Sequence, residues 1–258
     1  MFKGFNDKLK AVDLVLVASL IKKLNSNERF KNIFMSFIFL IAMHFVFSYV
    51  GVYKFIDRRP CSIHSWAQAQ RASIALNYYK NDMNFFKPRI HKFDKGEGIT
   101  GLEFPLVNYI PAVLYKIFGF DEKYYRGFVL FTLFLGLFLF NLLIFSYVKN
   151  YFLSILLLGI PYLSPALIYY STNFMPDVPS IGFVLVAWYF FFRYVKKQQI
   201  KFYVYCLIFI TLAALVKVVS LIPLCVLIGL FILDYLKFFK TPEKEYLFDK
   251  KPKLILYA

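Results

Sequence analysis

Acidic residues, histidine and cysteine are all scarce in this chain. Its 258 residues hold 15 Asp and Glu against 31 Lys and Arg, with three histidines and three cysteines. Cys61, Cys206 and Cys225 lack metal-ligand spacing, and the last two lie inside apolar runs. They imply neither a disulfide framework nor a thiolate metal site. The surplus of base gives a net charge of +16, but the basic residues gather at the ends of apolar runs. That pattern reports membrane topology and argues against nucleic-acid binding. Internal repeats and low-complexity linkers are also missing.

What is abundant is apolar surface: 60% of the residues are hydrophobic and 21% aromatic. No soluble domain of this length has a core large enough to hide that much. Lipid is therefore the solvent for much of the chain, and the expected fold is all-α, a polytopic membrane bundle.

A first apolar run at about 32–56 is long enough for the ~20 residues a bilayer needs, and further apolar runs follow at about 125–148, 151–171, 178–195, 202–219 and 220–236. Lys217 divides the last two, which predicts a tight turn around Val216–Pro223. Residues 1–31 are basic, and "AVDLVLVASLIKKL" within them reads as an amphipathic helix on the membrane surface. The Lys-rich start, with no small-residue cleavage site after a short apolar core, predicts no removable signal peptide. The membrane domain is 32–236. Residues 237–258 form a basic tail, whose "KPKLILYA" reads as the start of a further span.

The segment 57–124 is mixed in character and carries two expected interfacial helices. One covers Ala69–Tyr79, with Ile74, Leu76 and tyrosines for a lipid-facing side. The other follows Pro105, with Val107, Ile110, Leu114 and Ile117 at helical spacing. With the N-terminus inside, one span leads to the 57–124 loop and two more lead back out to Asp177. Parity thus puts this loop and the Asp177 turn together on the outer face of the cytoplasmic membrane.

Asp177 stands between Pro176 and Pro179 in "STNFMPDVPS", interrupting apolar runs. A carboxylate at membrane depth is costly and usually functional, although an Asp here also fits as a cap for a helix starting near Val178. Glu103, before Phe104 and Pro105, reads either as a site carboxylate or as a solvated loop charge. Lys217 fits a ligand contact or a side chain snorkelling to the interface, and Arg71 fits a ligand or a lipid headgroup. His64 and His91 read as interface residues, and His44 as a partner for a neighbouring helix. Asp57, just past the first span, is a possible substitute base.

The order "HSWAQAQR", "NYY", "NFFKP", "GLEFPLVNYI", "LYKIFG", "YYR", then "LSPALIYYSTNFMPDVPS" and "LAALVK" resembles integral-membrane glycosyltransferases of the GT-C type. The nearest likeness is to ArnT-like and RgtA-like transferases, cousins of the protein O-mannosyltransferases. The resemblance runs from about residue 35 to 220. It implies a polyprenyl-phosphate-linked sugar as donor, and a surface glycan, lipid or protein as acceptor. Glu103 in "EFP" would be the first-loop acidic residue and Asp177 in "MPDVP" that of the second outer loop. Arg71 and Lys217 would face the lipid phosphate. Where relatives carry an Asp as presumed base, this chain has Gln68 and Gln70, so that role falls to another carboxylate or the chain is impaired.

Those residue types suit the implied reaction. Polyprenyl phosphate leaves readily, provided that its developing charge is met by Arg, Lys or a divalent cation. The acceptor hydroxyl needs a carboxylate to take its proton, and Glu103 is the first choice. The carboxylates of Glu103 and Asp177 would suit Mg²⁺ or Mn²⁺ better than a soft-ligand metal. The rival readings are a transporter or lipid-carrier flippase, and a truncated, non-catalytic relative. A transporter tends to show repeated halves and broken mid-membrane helices, and neither is legible here.

Overall fold

A computed structural model describes residues 27–91, 98–101, 103–148, 150–236 and 238. The expected N-terminal surface helix and the basic tail, with its possible further span, lie outside the described residues. Within them the fold is helical, without strands; a single bridge pair joins Arg89 to Ile99.

Helix α1 (Glu28–Val50) starts earlier than the first apolar run because Asn27 caps it. The Asn27 side chain accepts hydrogen bonds from the backbone N–H groups of Arg29 and Phe30, which have no partner within the helix. Gly51, at φ +86°, ends it in a left-handed turn that glycine adopts without strain. A 3₁₀ turn, Val52–Phe55, follows.

Helices α2 (Ser65–Lys80) and α3 (Leu106–Phe118) are the two expected in the first large loop. Their inner faces differ from the expectation. Ile74 and Tyr78 pack with Ala112 in a small buried cluster, and Val107 joins the main core. These apolar residues satisfy each other across the α2–α3 contact and so do not turn to lipid. The Tyr78 hydroxyl donates to the Phe85 carbonyl at 2.8 Å, and burial pushes its pKa up to about 12. On α3, Ile117 and Phe118 remain exposed.

Helix α4 (Glu122–Tyr147) begins at Asp121, whose side chain accepts from the Lys123 N–H. Its apolar run is matched by α7 (Asp177–Lys197), and α7 also packs along α8 (Ile200–Val216). Glycines set the α4–α7 crossing. A Cβ on Gly136 would lie 2.7 Å from the Gly182 carbonyl oxygen, and one on Gly182 would lie 2.5 Å from that of Thr132. Small residues let helix backbones meet where burial from water supplies no drive.

The run 151–171 is not one helix. Pro161 lies near the end of α5 (Tyr151–Tyr162), and Ser164 then caps α6 (Pro165–Tyr170), with Pro165 in its first turn. Two prolines four residues apart interrupt the hydrogen-bond ladder that a single span would need. After α8, Lys217 is extended, a 3₁₀ turn covers Val218–Leu221, and α9 runs Ile222–Tyr235. This is the tight turn read around Val216–Pro223. Among the described residues, four helical stretches are long and apolar enough to cross a membrane: Glu28–Val50, Glu122–Tyr147, Asp177–Lys197 and Val218–Tyr235. The chain is thus a polytopic helical membrane protein, as its composition requires.

Candidate active site

One end of the bundle gathers the charged residues. Asp177 opens α7, where the positive end of the helix dipole favours a carboxylate. The loop before α3 carries Glu103, α2 carries Arg71, and the extended residue after α8 is Lys217. Glu103 and Arg71 form an ion pair through Oε1 and Nη2. Asp177 Oδ1 accepts from Lys217 Nζ at 2.5 Å.

The two pairs are linked through the chain on both sides. Arg71 Nη1 reaches Met175 Sδ at 3.5 Å, two residues before Asp177. The Phe104 N–H donates to the Leu215 carbonyl at 3.3 Å, joining the residue after Glu103 to the last turn of α8, which leads into Lys217. Glu103, Arg71, Met175, Asp177, Lys217, Leu215 and Phe104 therefore close a ring. Positions separated by more than a hundred residues in sequence meet there.

Exposure differs around the ring. The Arg71 side chain is 10% exposed, Glu103 33%, Asp177 28% and Lys217 34%. The anions and the lysine are partly exposed, while the guanidinium is nearly buried, its Nη1 also donating to the Ala67 carbonyl at 3.2 Å. Two atoms are left without a partner although buried: Arg71 Nε and Asp177 Oδ2. A buried polar atom without a hydrogen bond is unfavourable. Here one donor and one acceptor of that kind belong to the same ring. Asp177 makes no capping bond to its own helix, so its side chain is committed to Lys217 alone.

The remaining sequence-derived residues separate from this ring by role. Gln68 is fully buried and holds the loop before α2, donating through Nε2 to the carbonyls of Cys61 at 2.9 Å and Ile63 at 3.2 Å. Gln70 is half-buried, Asp57 is exposed and His64 is exposed. His64 precedes α2 with φ +61°, its ring stacked 6.4 Å from that of Tyr170. His44 accepts or donates at 2.6 Å with the Tyr53 hydroxyl, and His91 contacts Asn77. Among the described residues no group of three His, Cys, Asp or Glu comes together to hold a metal ion.

Sequence reading passed over Arg126. It is 1% exposed, one turn into α4, and braces the floor of this end. Its Nε donates to the Thr172 carbonyl at 2.7 Å, its Nη1 to those of Ile56 and Arg58, and its Nη2 to that of Arg59 at 3.2 Å. The guanidinium also lies 4.5 Å from the Phe174 ring centroid, whose other contact is the buried Tyr125 ring at 4.6 Å. The first turn of α4 therefore grips the segment that ends in Asp177. Its signals in the sequence are an arginine just inside an apolar run and its place in "YYR", one of the segments that carry the resemblance.

A sequence model of the dolichyl-phosphate-mannose-protein mannosyltransferase family matches residues 103–254. That stretch is more than half of the chain. The chain belongs to this family. The family is one of membrane glycosyltransferases of the GT-C type, which agrees with the helical bundle and sets aside the transporter reading. Glu103, Asp177, Lys217 and Arg126 fall within the matched stretch, whereas Asp57, His64, Gln70 and Arg71 precede it. No curated protein and no solved structure matches the chain.

Proposed function

We propose that this mannosyltransferase-family chain moves a sugar from a polyprenyl-phosphate-linked donor to a hydroxyl of a surface glycan, lipid or protein. The observation that carries the proposal is the ring of two ion pairs at one end of the bundle. Each carboxylate there is held by a cation that a phosphate would compete for.

Arg71 and Lys217 supply the charge that a departing lipid phosphate needs, as hydrogen bonds preorganised in a site of low polarity. A phosphate taken up by Lys217 releases Asp177 Oδ1. The freed Oδ1 then accepts the proton of the acceptor hydroxyl as that hydroxyl's oxygen attacks the anomeric carbon. One bond forms as the bond to the phosphate oxygen breaks, so the anomeric configuration inverts. Glu103 is the second carboxylate in reach; its pairing with buried Arg71 gives it the task of aiming the guanidinium. A Mg²⁺ or Mn²⁺ ion would find the free oxygen of Asp177. Sharing both carboxylates would require it to displace Arg71 and Lys217.

The second reading, a member without catalytic power, rests on Gln68 and Gln70. An amide cannot take up a proton at neutral pH. Both readings are tested by sugar transfer in membranes supplied with a polyprenyl-phosphate sugar pool. Asp177→Asn keeps the shape and removes the proton acceptor, so turnover should drop by about 10²–10⁴-fold. Glu103→Gln should fall less and raise the donor KM. Full activity in Asp177→Asn would remove it as the base, and a gain confined to Gln70→Asp would identify the wild type as inactive.

A further inference from the structure

Ser180 lies on α7, one turn after Asp177 and on the same side of the helix. It is 1% exposed. A serine hydroxyl inside a helix commonly turns back to a carbonyl of its own helix. This one crosses to the neighbouring helix, where Oγ donates to the Ala213 carbonyl of α8 at 2.9 Å. Its single proton is spent in that bond. In the 2.5 Å contact between the Ser180 and Ser220 hydroxyls, Ser220 is therefore the donor.

Ala213 and Ser220 stand on either side of Lys217 in the chain. The Lys217 N–H donates to the same Ala213 carbonyl at 2.8 Å, and the Ser220 N–H donates to the Lys217 carbonyl at 2.9 Å. Both backbone groups of Lys217 are thus tied to residues that the Ser180 hydroxyl holds. Lys217 itself is extended, at φ −150° and ψ 115°, and the turn Val218–Leu221 after it has no side-chain cap of its own. Helix α7 consequently meets Lys217 twice. Asp177 takes the ammonium, and Ser180 takes the chain before and after it. A lysine carries its charge on a flexible four-carbon stem, so where that charge can reach depends on where the backbone is held.

We infer that Ser180 is a positioning residue, acting through Lys217, with Ser220 as its partner. It fixes the backbone from which the ammonium reaches either Asp177 or the phosphate of a donor. Its role rests on Lys217 meeting phosphate, as proposed above. With its proton committed to Ala213, the Ser180 hydroxyl has none to give to the reaction.

The test is equilibrium binding of a short-chain polyprenyl phosphate to the purified full chain in detergent, a measurement that needs no turnover. Ser180→Ala should raise the dissociation constant by about 3–10-fold, the worth of one neutral hydrogen bond. Lys217→Met should raise it further. In the Lys217→Met background Ser180→Ala should change it by less than about 2-fold, because no ammonium is left to position. Ser180→Thr keeps the hydroxyl and should stay within about 2-fold of the wild type. Ser220 is only half-buried, so Ser220→Ala should fold even where Ser180→Ala does not, and should raise the constant by about 2–3-fold. A constant unmoved by both alanine variants, while Lys217→Met raises it, would overturn the role of Ser180 and leave the donor reading standing. An equal rise from Ser180→Ala with and without Lys217 would overturn it as well, since the serine would then act on the fold at large. A constant unmoved by Lys217→Met would overturn both.

Discussion

At the scale of single residues, the Asp177–Lys217 pair shows the difference between a stabilising contact and a working one. With both side chains about one-third exposed, the pair falls between surface bridges and buried ones. It contributes on the order of 1 kcal/mol. Lys217→Met should therefore leave a folded protein, destabilised by about 1–2 kcal/mol because Asp177 loses its counter-charge. The double variant Lys217→Met/Asp177→Asn should recover most of that loss in a denaturation cycle. A loss above about 4 kcal/mol would make the pair a structural brace. Asp177 stood out in the sequence because a carboxylate at membrane depth is expensive, whereas Glu103, Arg71 and Lys217 were singled out by the family resemblance. Their pairing was not legible, since Arg71 and Glu103 are 32 residues apart and Asp177 and Lys217 are 40 apart. Only the tertiary fold decides which cation meets which anion.

Among the elements, helices were legible wherever lipid demands an uninterrupted ladder, as in α4 and α7. Boundaries shifted where a local bond intervenes: Asn27 draws the start of α1 forward, and Pro161 with Pro165 splits the run 151–171. The inner faces of α2 and α3 were less legible. An amphipathic helix can turn its apolar side to lipid or to another helix, and sequence spacing is the same for both. Ile74 and Tyr78 chose the helix. The α4–α7 crossing was invisible for a similar reason, because Gly136 and Gly182 acquire meaning only when opposed. Gly182→Leu places a side chain against the Thr132 backbone, which cannot retreat as a flexible side chain would. It should cost about 1–3 kcal/mol or more and displace the start of α7 that carries Asp177. Thermal unfolding and transfer activity should both fall. Unchanged values for Gly182→Leu would show that the helices do not approach this closely.

For the whole molecule, the ring joins α2, the α2–α3 loop, the α6–α7 segment and the α8–α9 turn at one end. The opposite end holds the start of α1 and the α4–α5 connection, where Lys31 lies over the Tyr151 ring at 4.7 Å. In a background lacking Cys61, Cys206 and Cys225, single cysteines at exposed Asp82 and Gln198 should label differently with an impermeant thiol reagent. In intact cells Asp82→Cys should react and Gln198→Cys should not. Equal labelling of the two would contradict the arrangement of spans.

The central claim is that the two cations of the ring receive a lipid-linked phosphate, and the donor dependence of sugar transfer tests it most directly. The rate should be measured against polyprenyl-phosphate sugar concentration for the wild type, Lys217→Met and Arg71→Met. Loss of one charge-assisted contact to phosphate is worth about 1.5–3 kcal/mol, so the donor KM should rise by about 10–100-fold in each variant. The acceptor KM should stay unchanged. A donor KM that stays at the wild-type value in both variants would contradict the account.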